Sequence, residues 1–401
     1  MSAGGAQTAG RRSGLWLVLF ALAWGGGVIA YTPLLTLLLP LKLGLSPGDK
    51  VATLSLVTMA GALTASIANV VAGDLSDRWR SRRWGRRPWI AAGLAATALG
   101  YAAVAMSEGL AGVLIAIVAF QIGLNLLLAP LAALAADEVP DAQKGALGGL
   151  MGAAYPLGAF SGVAVMAVPD SLGRLAAAFI LAAVAILPFL ALRPAPQGSA
   201  ATEPEPRPHG RRNLAAVWFA RLLVQLAGGV MFAFALYYFE TVRVQGQALT
   251  ADGAAGRLAL LMGVAALLTA PVSILLGQLS DRLSARRAIL QALTLAVATA
   301  LVMLALLPVW PLAAAAYVLF AIAQAVFLAL QQTYVMQLLP SPQHRGRDLG
   351  ILNLTNTLPS IAGPALAFVL ISGGGYRGLM LVLAALAVVA GVLMGRVREP
   401  G

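Results

Sequence analysis

The chain contains no cysteine, which excludes disulfides and thiolate-ligated metals. It has only two histidines, His209 and His344, and both fall in polar segments, so a buried imidazole cofactor site is excluded as well. Charge is scarce: 10% of the 401 residues are Asp, Glu, Lys or Arg, against about 25% in a soluble domain. Polar stretches are scarce too. The longest covers residues 193–213, too short for a soluble domain of its own. Apolar residues take their place, at 60% of the chain with a mean hydropathy of +0.86. A soluble domain has about 45–50%, so composition alone excludes a water-soluble enzyme.

A membrane-spanning helix needs about 20 apolar residues. Twelve stretches qualify, at about 15–40, 51–73, 89–106, 110–135, 147–168, 175–193, 214–238, 255–277, 288–308, 311–337, 349–372 and 378–395. In hydrocarbon the backbone must satisfy itself, so these stretches are helices. A membrane barrel would instead show weakly alternating segments of about ten residues. Arg11 and Arg12 precede the first stretch in the manner of a signal peptide, but it is too long and no small-residue cleavage site follows, so it reads as a span. The expected fold class is an all-α membrane protein with twelve transmembrane helices.

The basic residues fix the expected orientation. With both termini cytoplasmic, 20 of the 27 Lys and Arg fall in cytoplasmic segments, 6 in outer loops, and Arg221 inside a span. That asymmetry follows the positive-inside rule. The net charge of +12 therefore implies no nucleic acid. The expected partners of these arginines are anionic lipids at the inner face of a plasma (inner) membrane.

Residues 193–213, rich in Pro, Glu and Ser, read as a flexible linker. They divide the chain into an N-terminal six-helix bundle (1–193), a cytoplasmic linker (194–213) and a C-terminal six-helix bundle (214–401). The two halves repeat. After the second span comes Gly73-Asp74-Leu75-Ser76-Asp77-Arg78, ending at Arg86-Arg87. After the eighth comes Gly277-Gln278-Leu279-Ser280-Asp281-Arg282, ending at Arg286-Arg287. After the fourth span comes Pro140-Asp141-Ala142-Gln143-Lys144-Gly145, and after the tenth Pro340-Ser341-Pro342-Gln343-His344-Arg345-Gly346. Parallel repeats of this kind place a substrate site near the membrane midplane and alternate its access by rocking.

On these motifs the chain resembles the major facilitator superfamily. The resemblance covers essentially the whole length: twelve spans, a central linker, and the Gly-x-x-x-Asp-Arg loop in both halves. It implies gating roles for Gly73, Asp77, Arg78, Arg86, Arg87, Gly277, Asp281 and Arg282. The glycines would let a neighbouring helix approach, and Asp77 would face the start of the eleventh span, where the helix dipole favours an anion. The arginines would pair with Asp137 and Glu138 at the end of the fourth span. A narrower stretch, Ser76–Ile90, is similar to the loop of the glycoside–pentoside–hexuronide group and the related sucrose transporters. Cation-coupled members of that group place an Asp within the second span. Here residues 51–73 have no acid, and Asp74 comes only at their inner end.

Ionisable groups inside spans are costly and therefore functional suspects. Arg221 is one, with Gln225 a turn on at i+4. It either contacts substrate or gate, or snorkels to the inner headgroups. Gln121 and Asn125 share a face of the fourth span. Gln324 and Gln331 lie in the tenth, Asn353 and Asn356 in the eleventh, and Asn69 in the second. Trp24 and Tyr31 in the first span and Tyr155 in the fifth add ring faces. A single amide can merely join two helices, at about 0.6 kcal/mol. The whole set, uncharged and accompanied by aromatics, suits a neutral polyhydroxy ligand. A strongly anionic ligand would need several buried cations. The candidate coupling ions are sodium, or a proton carried by Asp74, Asp137, Glu138 or Glu240; transport without coupling is the other option.

The expected function is secondary transport of a small neutral solute, foremost a sugar or glycoside. The alternative is export of lipophilic compounds, for which Gly152–Gly158 offers a loose match to the Gly/Pro-rich motif of drug–proton antiporters. No cofactor or metal is expected. Gly25-Gly26-Gly27 and Gly373-Gly374-Gly375 have no Lys-Ser/Thr follow-on and read as flexible or close-packed backbone rather than nucleotide loops.

Overall fold

The computed structural model describes residues 12–43, 47–78, 84–154, 156–192, 211–283, 285–338 and 345–397. Tyr155 lies outside them, as do the side chains of Asp137, Asp281 and Asn353. The first apolar stretch is α1 (Gly14–Pro33), a π turn (Leu34–Leu38) and α2 (Leu39–Leu43). Then come α3 (Pro47–Arg78), α4 (Arg87–Met106), α5 (Gly109–Glu138), α6 (Asp141–Ala154), α7 (Pro156–Met166) and α8 (Ser171–Leu190). The second half holds α9 (Arg211–Thr241), a two-residue hairpin of β1 (Arg243–Val244) and β2 (Gln247–Ala248), α10 (Ala251–Leu283), α11 (Arg286–Leu306), α12 (Trp310–Leu338) and α13 (Arg345–Gly395).

Among the described residues, eleven helical segments are long and apolar enough to cross a membrane. The last, Leu354–Gly395, has 42 residues. At 1.5 Å per residue it would run about 63 Å, twice the roughly 30 Å hydrocarbon thickness. Gly375 breaks it, with φ 64° and ψ −171°, a conformation open only to glycine. The segment therefore makes two crossings, as the stretches 349–372 and 378–395 predict. The fifth stretch, Ala146–Met166, is one candidate crossing and carries Pro156 along its length. The π turn in the first stretch sits between Pro33 and Pro40. Pro40 has no N–H for the carbonyl of Thr36, so the ordinary i→i+4 ladder fails there.

The chain forms two compact units, one of Met1–Leu34 with Ala60–Thr202, the other of Leu35–Met59 with Glu203–Gly401. In the first unit, Trp16 stacks on Phe20 at 5.4 Å and both meet Phe189 edge-on. Ile90, Leu94, Leu127, Leu131 and Ile186 complete that core. Small residues bring backbones together. A Cβ added at Gly100 would lie 2.5 Å from the Phe120 Cα, and one at Gly123 2.6 Å from the Ala96 carbonyl carbon, so α4 and α5 pack backbone to backbone. Gly25, Gly26 and Gly27 are likewise close-packed, against Leu157, Ile186 and Leu128 respectively. In lipid, where apolar burial drives little association, such close approach is a principal source of cohesion.

In the second unit α9 packs on α12 and α13, and α11 on α12 and α13. Phe239 meets Trp310 and Tyr317 edge-on, and the Tyr238 hydroxyl donates to the Leu304 carbonyl at 2.7 Å. Leu99, Ile115, Val184, Leu267, Ile274 and Val369 are exposed, as suits side chains facing acyl chains.

Candidate functional site

Three groups of polar side chains stand out in this apolar frame. The first lies where α3 gives way to α4. Asp77 forms an ion pair with Arg86, whose Nη1 also donates to Ser76 Oγ at 2.6 Å. Arg78 pairs with Asp74 one turn back, at 2.9 Å; both are largely exposed, so the pair adds little. Arg87 is different. Its side chain is 3% exposed and Glu138's is 4%, and the two form a forked pair at 2.7 and 3.2 Å. The Arg87 guanidinium also lies 5.2 Å from the ring centre of Phe189. Arg12 closes the group. Its Nε donates to the Glu138 carbonyl, its backbone N–H donates to Gln143 Oε1 at 2.7 Å, and Gln143 Nε2 donates back to the Arg12 carbonyl at 2.9 Å. Burial lowers the pKa of the Arg12 guanidinium, with Glu138 opposing the shift.

Of the expected pairings, Arg87 with Glu138 is present, while Arg78 meets Asp74 and Arg86 meets Asp77; the side chain of Asp137, the other expected partner, lies outside the described residues. Among the described residues, a Cβ at Gly73 would meet nothing within 4 Å, and one at Gly277 only Leu330 at 3.7 Å. The expected placement of Asp77 against the start of the eleventh span concerns side chains outside the described residues. In the second motif copy Arg282 is exposed, as Arg78 is in the first; Ser280 Oγ is buried with no partner among the described residues, and Arg287 Nη1 donates to the Val397 carbonyl.

The second group is an amide cluster in the first unit. Asn69 Nδ2 donates to Asn125 Oδ1 at 3.1 Å, and Asn125 Nδ2 to the Gln121 carbonyl at 2.9 Å. Gln121 and Asn125 are buried and Asn69 is exposed. Gln121 lies beside Gly61. On α1, Trp24 and Tyr31 are half-buried, and the Trp24 Nε1 has no acceptor among the described residues.

The third group surrounds Arg221 on α9. Nε donates to Thr355 Oγ1 at 3.1 Å and Nη1 to Gln331 Oε1 at 2.9 Å. Gln331 Nε2 donates to the Val217 carbonyl at 2.7 Å, which fixes the amide's orientation. One turn on, Gln225 Nε2 donates to Asn356 Oδ1 at 2.8 Å, at the surface of the unit. Gln324 lies against Gly228, which has no Cβ to obstruct it. Thr355 is the partner that sequence reasoning missed. It is fully buried and sits one residue before Asn356, a position that could have signalled it.

The described carboxylates named as proton carriers are all in ion pairs: Asp74 with Arg78, Glu138 with Arg87, and Glu240 with Lys50 at 3.1 Å. Among the described residues no cluster of His, Cys, Asp and Glu could hold a metal.

A helical protein with this many crossings, a duplicated charged loop and uncharged polar groups in its spans is a multi-pass membrane transporter. The Major Facilitator Superfamily profile matches residues 15–340 and 253–401, and the chain belongs to that family, whose members are transporters and not enzymes. Solved structures of low identity share the fold. A bacterial homologue of the human lysosomal transporter Spinster, inward-facing and occupied, is 17% identical with a TM-score of 0.70, over 94% of this chain and 95% of that one. The peptide transporter POT with sulfate is 14% identical with a TM-score of 0.70, over 96% of each chain. The nucleoside transporter NupG is 12% identical with a TM-score of 0.68, over 96% of this chain and 99% of that one. No curated protein sequence matches the chain.

Proposed function

We propose that the chain is a secondary transporter for a small polyhydroxy solute, a sugar or glycoside, working by alternating access in a plasma (inner) membrane with both termini cytoplasmic. The observation that carries this reading is the pair of amide clusters, Asn69 with Asn125 and Gln225 with Asn356, each with an exposed member on an otherwise apolar helix. An amide offers a donor and an acceptor at fixed spacing, and a sugar hydroxyl uses both. Trp24, with its unused indole N–H, supplies a ring face for the C–H patches of a sugar.

The ion pairs around Arg86 and Arg87 serve gating in this reading. They hold α3, α4, α5 and the segment at Arg12 together at one end of the first unit, away from the amides. Binding to purified protein tests the site. Asn125→Leu and Asn356→Leu are expected to weaken binding of a glycoside from a sugar panel by about tenfold each, the value of one or two lost hydrogen bonds. Unchanged affinity in both variants overturns the assignment.

A further inference from the structure

Arg221 carries a fixed positive charge within a membrane-spanning helix, and no carboxylate among the described side chains balances that charge. Its side-chain partners, Thr355 and Gln331, are neutral, and a third contact is the Leu328 carbonyl at 3.5 Å. Among the described residues no carboxylate pairs with it, and its Nη2 has no hydrogen-bond partner. The residue is 8% exposed. Elsewhere in the chain the rule is the reverse: Arg87, as deeply buried, has Glu138. Leaving a buried ion without its counter-charge costs several kcal/mol, and intramembrane arginines ordinarily pair. A snorkelling role does not fit, because a snorkelling arginine places its head in water. Here the guanidinium is bonded to side chains of α12 and α13, and Gln331 is itself held to Val217.

We propose that Arg221 binds a carboxylate of the transported solute through Nη2, so that the solute is a hydroxy acid with a single negative charge. This rests on the polyhydroxy reading above for the hydroxyls and adds the acid. The charge count selects a carboxylate: one unbalanced cation matches one carboxylate, whereas a phosphate dianion would leave a charge of −1 in the spans. The geometry selects single-oxygen contact, because Nε and Nη1 are already committed and cannot form a forked pair. Gln225 lies one turn away. Its Nε2 is engaged by Asn356, and its Oε1 is left to accept from a hydroxyl adjacent to the acid. The sequence expectation of a wholly neutral solute is narrowed accordingly: amides for the hydroxyls, Arg221 for one acid.

The experiment compares gluconate with glucitol, which differ only by a carboxylate in place of a terminal CH2OH, together with propionate, which keeps the acid and lacks hydroxyls. Binding is measured by ligand protection against thermal unfolding, for wild type, Arg221→Gln and Arg221→Lys. Wild type is expected to prefer gluconate to glucitol by about tenfold or more, the worth of a charge-assisted hydrogen bond. Arg221→Gln is expected to erase that preference and Arg221→Lys to retain part of it. The wild-type comparison stands alone if a variant fails to fold. Equal binding of gluconate and glucitol, or a preference that survives Arg221→Gln, overturns the acid and leaves the polyhydroxy reading intact. Arg221-dependent binding of propionate alone upholds the acid and overturns the polyhydroxy reading. No binding of any of the three to folded protein overturns both.

Discussion

Replacing Glu138 with Gln is the sharpest perturbation of the first unit. The substitution keeps the volume and one acceptor but removes the charge that faces Arg87. Both side chains are nearly inaccessible, at 3% and 4% exposure, so water cannot take over the carboxylate's role. Breaking a buried pair by neutralising one partner costs about 3–5 kcal/mol, a large part of the roughly 5–15 kcal/mol that stabilises a typical domain. The double replacement Arg87→Met with Glu138→Leu behaves differently. It removes both charges and also the Arg87 Nε, which is buried without an acceptor among the described residues. Apolar replacement of a buried pair is often neutral or stabilising, so the double variant is expected to be more stable than either single one. The assay is the midpoint of denaturant- or heat-induced loss of monodisperse protein in detergent for wild type, Glu138→Gln, Arg87→Met and the double variant. A cost below about 1 kcal/mol for Glu138→Gln, or a double variant as costly as the two singles summed, would refute the argument from desolvation.

Three further outcomes follow from the geometry. Gly100→Ala places a Cβ against the Phe120 backbone and is expected to destabilise by about 1–3 kcal/mol, whereas Gly73→Ala meets nothing within 4 Å and should leave the melting temperature unchanged. Asp77→Asn removes the partner of Arg86 at the loop rather than an amide of the candidate site; solute affinity should stay within about twofold, less than the loss of one hydrogen bond would produce, while the transport rate changes, and a large loss of affinity would count against a gating role. Because the chain has no cysteine, single cysteines report topology directly: Ser107→Cys should be labelled by an impermeant thiol reagent from outside and Ala285→Cys only from inside, and the reverse pattern would invert the proposed orientation.

The spans were legible because each stretch is about as long as a crossing needs and predominantly apolar, and most of their ends were marked by charge. Gly373-Gly374-Gly375 separated the last two crossings for a reason the backbone makes plain, since Gly375 adopts a positive φ. The π turn was not read, although Pro33 and Pro40 bracket it, because apolar periodicity carries no hydrogen-bond register. Local pairing was readable: Gln121 and Asn125 at i and i+4 do share a face, and Asn125 bonds the Gln121 carbonyl. Long-range pairing was not. The bonds from Gln225 to Asn356 and from Arg221 to Thr355 join residues more than 130 positions apart. No spacing rule reaches that far, and Thr355, embedded among apolar residues and more conspicuous amides, gave no periodic signal. The repeat was legible as sequence, but not the contacts each copy makes: Ser76 accepts from Arg86, while Ser280 Oγ has no partner among the described residues.

Counterflow in proteoliposomes tests the central claim most directly, because it needs no ion gradient and so does not depend on how transport is coupled. Vesicles loaded with an unlabelled sugar and diluted into a trace of the labelled one, with sucrose, a simple glycoside and gluconate tried in turn, are expected to accumulate label transiently. Excess external unlabelled sugar should abolish the accumulation. Folded, reconstituted protein that accumulates none of the panel would contradict a polyhydroxy substrate and turn attention to the export of lipophilic compounds.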